Sequence, residues 1–169
     1  MIQKRTPMIY EDFVPYFKIE NGNLISLYTS TSRKAGSIVG TTNDEGYLVC
    51  FHKGKSYKVH RIIYLLTYKH CPYIIDHING IKDDNRPENL RPASLSDNSC
   101  NSVHRVNNTS GVKGIHKLKD GYGYQASITH KRKRKYLGLF KTLEEAKKCI
   151  ESARKAMHGE FANTGVMYE

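Results

Sequence analysis

Asp76, His77, Asn89 and Asn98 place a carboxylate, an imidazole and two amides inside one polar stretch, Tyr73 to Asn101. An imidazole titrates near neutral pH and can take the proton from an attacking water. A carboxylate and a neutral amide oxygen can hold one hard divalent cation while leaving coordination positions for water and phosphate oxygens. Such an ion offsets phosphate charge and stabilises a leaving oxygen. The set therefore suits hydrolysis of a phosphodiester bond. On a strand, neighbouring side chains point to opposite faces, so Asp76 and His77 serve one site only where the strand bends or ends. Asn79-Gly80, a strong turn signal, follows at once. Asn98 is the candidate amide ligand, with helix capping as its alternative. Asn101 reads as surface or DNA-facing, or as the ligand in place of Asn98.

Several elements must position these groups. Residues 10–58 alternate short apolar runs with Asn21-Gly22-Asn23, Asn43-Asp44-Glu45-Gly46 and Lys53-Gly54-Lys55, a spacing that predicts β-hairpins. The Lys53-Gly54-Lys55 tip is a solvated turn, or else a phosphate contact. His60–Lys69 reads as a helix with Ile62, Ile63, Leu65, Leu66 and Thr67 on a wide apolar face, ended by Pro72. His60 is a capping or packing residue there, not a ligand. Ile74 and Ile75 suit a buried strand leading into Asp76-His77. Asp83 to Asn89 is a loop by composition. Ser94 and Asp97 stand in a capping-box relation that opens a helix near Leu95, with Asn98 and Asn101 on one face.

Beyond residues 102–111, a polar linker without periodicity, the pattern changes. Val112–Leu118, Tyr122–Thr129 and Lys135–Phe140 are strand-like, and the last two are separated by the basic turn His130-Lys131-Arg132-Lys133-Arg134. Thr142-Leu143-Glu144-Glu145 is a capping box. It opens a helix with Ala146, Ile150, Ala153 and Met157 on one stripe, Cys149 and Ala156 beside it, and Gly159 as its stop. Ile115, Ala126 and Ile128 fit the sheet face against that helix. The expected fold class is α+β: N-terminal hairpins and a helix lead into a two-strand-and-helix element, then a small three-stranded antiparallel sheet packs on one helix. The expected domains are 1–101, a linker at 102–111, a second domain at 112–163 and a tail at 164–169.

A formal net charge of +11 over 169 residues points first to a nucleic acid partner. The charge is uneven: from His104 onward, fourteen Lys or Arg stand against six Asp or Glu. Cys50, Cys71, Cys100 and Cys149 form no Cys-x-x-Cys pair, which argues against structural zinc. Met1-Ile2-Gln3-Lys4-Arg5 precedes no apolar signal region, and no apolar run reaches the length of a membrane span. The expectation is a cytoplasmic protein, not secreted, with no membrane partner.

Residues 46–101 resemble the HNH endonucleases, in the Asp-His…Asn…Asn form found in free-standing homing endonucleases of phages. The lead-in Tyr57-Lys58-Val59-His60-Arg61 shares the likeness. The resemblance implies a ββα-metal element at about 73–103, with Asp76 and Asn98 on the metal and His77 as general base. It implies that Asn89 holds the loop so that His77 is oriented. Asn rather than His at position 98 suits Mg²⁺ or Mn²⁺ better than zinc. Residues 110–163 resemble the DNA-binding domain of plant ethylene-response factors (APETALA type). Ser110 to Ile115, Tyr136 to Thr142, Glu144-Glu145-Ala146 and His158 to Asn163 carry the likeness, with Tyr124 where Trp is usual. That likeness implies a sheet lying in the major groove of double-stranded DNA. Its candidate contacts are Lys113, His116, Lys117, Ser127, Thr129, Lys131, Arg132, Lys133, Arg134 and Tyr136. Ser and Thr cannot contact guanine bidentately as Arg does, so binding weighted to the backbone is expected. The competing readings are a DNA-binding regulator with an inactive HNH scaffold, and a nuclease or binder of structured RNA. Monomer and homodimer both remain open.

Overall fold

The computed structural model describes residues 7–101, 108, 110–118, 121–130 and 133–162. Most of the expected linker, the basic-turn residues Lys131 and Arg132, and the expected tail lie outside the described residues. The chain divides into two compact units, Met1–Pro92 and Ala93–Glu169. The class is mixed α+β, with four small antiparallel sheets among the described residues. Among the described residues no helix is long and apolar enough to cross a membrane.

In the first unit, β1 (Phe17–Glu20) and β2 (Asn23–Ser26) form a hairpin turned by Asn21 and Gly22, both at positive φ. The strands β3 (Thr41–Thr42), β4 (Leu48–His52) and β5 (Lys55–Lys58) form a second sheet. Lys53 and Gly54, again at positive φ, make its two-residue turn, the geometry that matches strand twist. Helix α1 (Val59–Tyr68) follows directly and buries Val59, His60, Ile62, Ile63, Tyr64 and Leu65. Thr67, expected on the apolar face, is exposed and donates to the Ile63 carbonyl. The helix also stops earlier than Pro72 would require, because Lys69 turns left-handed (φ 60°) and its N–H closes on the Leu65 carbonyl. Arg61 then donates to the carbonyls of Pro72 and Tyr73, fixing the segment that leads into β6 (Ile75–His77).

Strand β6 pairs antiparallel with β7 (Leu90–Pro92), matching Asp76 with Arg91 and His77 with Leu90. Ile75 and Leu90 join the core formed by Phe13, Phe17, Leu24, Val39, Cys50 and the buried face of α1. Each such side chain contributes about 1.5–3 kcal/mol by leaving water, which anchors the short hairpin that carries Asp76 and His77.

The second unit opens with α2 (Leu95–Asn101). Its expected capping box is present: Ser94 Oγ accepts from the Asp97 N–H (3.1 Å), and Asp97 Oδ2 accepts from the Ser94 N–H (3.2 Å). Strands β8 (Ile115–Lys117), β9 (Tyr124–His130) and β10 (Lys133–Phe140) form a sheet with β9 in the centre. Helix α3 (Leu143–His158) begins at the Thr142–Glu145 capping box and ends at Gly159. Ile115, Ala126, Ala146 and Ile150 form the core between sheet and helix. Gly114 (φ +81°) admits no side chain, since a Cβ there would meet Ile150 Cδ1 at 2.5 Å and the Ser127 carbonyl at 2.6 Å. The buried helix stripe runs Ala146, Ile150, Arg154, whereas Ala153 is only half-buried and Ala156 exposed. Arg154 takes the place expected for Ala153 because its guanidinium reaches the Lys113 carbonyl.

Candidate functional site

The strand β6 ends at His77, where Gly80 N–H closes a turn onto the His77 carbonyl (2.9 Å). Asp76 and His77 are both buried, 4 % and 5 % exposed, although they are neighbours on the strand. Asp76 Oδ2 accepts from Arg91 Nε and lies 2.9 Å from Arg91 Nη2 as well. Because Arg91 stands directly opposite on β7, the register of the hairpin sets this pair. A buried carboxylate needs such a partner, since an uncompensated charge away from water is costly.

His77 Nε2 lies 3.0 Å from Asn85 Oδ1, and Asn85 is itself 3 % exposed. An amide oxygen only accepts, so Nε2 carries the proton and the basic lone pair is on Nδ1. The ring meets His60 edge to face (4.9 Å between centroids, 77°) and lies 6.1 Å from the Tyr47 ring. Burial pushes the His77 pKa below the usual imidazole value, partly opposed by the bond to Asn85 and the charge of Asp76. At neutral pH His77 is therefore a neutral base.

Asn89 sits in a 3₁₀ turn at Pro87–Asn89 and does its work on the loop. Its Oδ1 accepts from the Asn79 N–H (3.0 Å), and its Nδ2 donates to Asn79 Oδ1 (3.0 Å) and to the Asp84 carbonyl (2.7 Å). Asn79 Nδ2 in turn donates to Asp84 Oδ2 (2.7 Å), and Arg86 clasps both Asp84 oxygens at 2.8 Å. This holds the Asp84 carboxyl down at about 2, chiefly through the Arg86 hydrogen bond. Asn85 follows Asp84 directly, so the clamped loop also places the amide that meets His77.

Asn98 is exposed on α2, in the second unit, while Asn101 is buried at 5 % and not the surface residue expected. Among the described residues no group of three or more His, Cys, Asp or Glu is placed to hold a metal ion. A carboxylate such as that of Asp76 is a donor type that suits a hard cation, which draws its other ligands from neutral oxygens, water and phosphate.

The cross-strand register sorts the candidate nucleic-acid contacts by face. His116 pairs with Gln125, Arg134 with Thr129 and Tyr136 with Ser127, which places these on the side away from α3. His116, Thr129, Arg134 and Tyr136 are exposed there. Ser127 is buried at 6 % and its Oγ accepts from Arg134 Nε (3.1 Å) and Nη2 (2.9 Å), so it holds Arg134 and is not itself presented. Lys117 pairs with Tyr124 and Lys133 with His130, which alternation turns to the helix side of the sheet, and both are exposed. Lys113 precedes β8 in a turn.

Arg91, Asn85 and Tyr47 are the groups around the Asp-His pair that sequence reasoning missed, whereas His60 is the packing residue it expected. Arg91 was open to inference only through the hairpin register, and no pattern distinguished Asn85 from its polar neighbours. A family model described as HNH endonuclease matches residues 57–100. Protein 3.8 of Escherichia phage T7 is 33 % identical over 90 residues, covering 53 % of this chain and 74 % of the phage protein. No solved structure matches the chain.

Proposed function

The chain belongs to the HNH endonuclease family, and from that membership we propose a metal-dependent endonuclease of the homing type that cuts double-stranded DNA. One observation carries the reading: a buried, neutral imidazole with Nε2 committed to Asn85 stands beside the buried carboxylate of Asp76 at the end of β6. His77 takes a proton from the attacking water on Nδ1, Asn85 holds the ring, and Asn89 holds the loop that carries Asn85. Asp76 and Asn98 are the proposed metal ligands, with Arg91 orienting the Asp76 carboxylate. Mg²⁺ or Mn²⁺ bound there supplies charge that offsets the phosphate and stabilises the leaving oxygen.

In this reading the second unit is a sheet-type DNA-binding domain of the ethylene-response-factor kind. The outward residues His116, Thr129, Arg134 and Tyr136 meet the duplex, and Lys131 and Arg132 are proposed phosphate contacts. The working compartment is the cytoplasm of a bacterial or phage-infected cell. One base and one metal per chain make a monomer a nickase, while a homodimer could cut both strands. A DNA-binding protein with an inactive nuclease scaffold is the competing reading, and it draws on the engagement of Asp76 Oδ2 by Arg91. Incubating the purified protein with supercoiled plasmid carrying a genomic library decides between them. Nicked or linear product that depends on Mg²⁺ or Mn²⁺ and stops with chelator supports the nuclease. Tight binding without product under either metal supports the inactive scaffold.

A further inference from the structure

The loop that precedes β4 gathers two lysines on the Tyr47 ring, which lies 6.1 Å from the ring of His77. Asn43 ties this loop: its Oδ1 accepts from the N–H groups of Glu45 (3.1 Å) and Tyr47 (2.9 Å), and its own N–H donates to the Tyr47 carbonyl (2.9 Å). Tyr47 is thereby fixed with its ring 5.4 Å from His60 and 6.1 Å from His77. Lys58 Nζ sits 3.5 Å from the centroid of the Tyr47 ring, and Lys82 Nζ sits 5.2 Å from it. Both ammonium groups also bind Glu45, Lys58 through Oε2 (2.8 Å) and Lys82 through the backbone carbonyl (2.7 Å). Lys58 and Lys82 come from separate segments, so their convergence is a product of the fold. Lys58 is also the N-cap of α1, makes no side-chain capping bond, and has no acidic residue in the helix first turn after it. The positive end of that helix adds to the same attraction for anions.

We propose that Lys58 and Lys82, collected on Tyr47, form a binding site for a backbone phosphate of the DNA strand being cut, and that Glu45 holds them until phosphate displaces it. The inference rests on the nuclease reading for its substrate and extends it to residues with no catalytic part. Glu45 suits a stand-in role. Its side chain is 66 % exposed, and an exposed ion pair is weak enough for a phosphate to replace. Lysine binds phosphate as a point charge and needs no fixed angle of approach, which an exchange of partners requires.

The test is binding of a duplex oligonucleotide to the full chain in chelator, so that no cutting interferes, across a range of salt concentrations. Lys58→Gln and Lys82→Gln should each weaken binding about five- to tenfold at 0.1 M salt and lower the salt slope by about one. Glu45→Gln should tighten binding, because it breaks the ion pair that holds Lys58 and removes a negative charge beside both lysines. Lys18→Gln, which removes an exposed lysine paired with Glu20 at 3.0 Å, should change neither quantity. If Lys58→Gln fails to fold, the exposed-loop variant Lys82→Gln and Glu45→Gln decide alone. An unchanged salt slope in the lysine variants, or affinity that does not rise in Glu45→Gln, overturns the proposal. A chain that cuts DNA without these shifts loses the lysine site and keeps the nuclease. A chain that shows these shifts but never cuts does the reverse.

Discussion

Which nitrogen of His77 carries the proton decides what the residue can do. The bond to Asn85 Oδ1 fixes the proton on Nε2 and leaves Nδ1 as the base. Asn85→Ala removes that choice and should lower kcat roughly tenfold to a hundredfold with DNA affinity retained, as single-turnover kinetics would show. Burial lowers the His77 pKa, so kcat/KM should rise with pH through a midpoint below the usual imidazole value and be level by neutral pH. A midpoint above 7 would contradict this environment. The same shift acts on stability. Between the two pKa values the unfolded chain binds the proton more readily, so this group's contribution is present above the usual imidazole value and lost as pH falls through the folded one. Arg91→Ala leaves the Asp76 carboxylate buried without its guanidinium and should cost about 3–5 kcal/mol in urea unfolding. Asp76 and His77 were legible in the sequence because they are adjacent and followed by a turn. Arg91 and Asn85 were not, because their parts depend on a strand pairing and a loop path that composition does not encode.

At the scale of elements, local chemistry was the most readable. The hairpin turns at Asn21-Gly22 and Lys53-Gly54, both capping boxes and the Gly159 stop follow from residue types that favour one backbone conformation. Thr142→Ala should lower the stability of α3 by about 1 kcal/mol, measurable by thermal unfolding. Arg154 on the buried stripe was hidden because a charged residue reads as surface until the carbonyl that receives it is known. The loop between β6 and β7 carries its own pH limit. Asp84 is held at about 2 against an ordinary 3.8, so its clamp on Asn79 and Arg86 is complete above about pH 4 and lost as pH falls toward 2. Hydrogen exchange at the Asn79 amide, which donates to Asn89, should quicken over that range once corrected for intrinsic rates.

For the whole molecule, the chemistry-bearing pair lies in Met1–Pro92 and the basic excess after His104, while the boundary falls after Pro92 and not at the expected linker of 102–111. The change from short hairpins to three strands and an amphipathic helix was legible. The assignment of side chains to sheet faces needed the register, which turned Lys117 and Lys133 away and made Ser127 a support for Arg134. Arg134→Ala should weaken duplex binding and reduce its salt dependence while leaving kcat at saturating DNA near its original value. The account as a whole stands on His77 as the base in a DNA-cutting site. The direct measurement compares wild type with His77→Ala on one DNA containing the cleavage site, in Mg²⁺ or Mn²⁺, with binding followed in parallel. The account predicts equal DNA affinity and a cleavage rate about 10²- to 10⁴-fold lower in the variant. A His77→Ala protein that cuts as fast as wild type would contradict it.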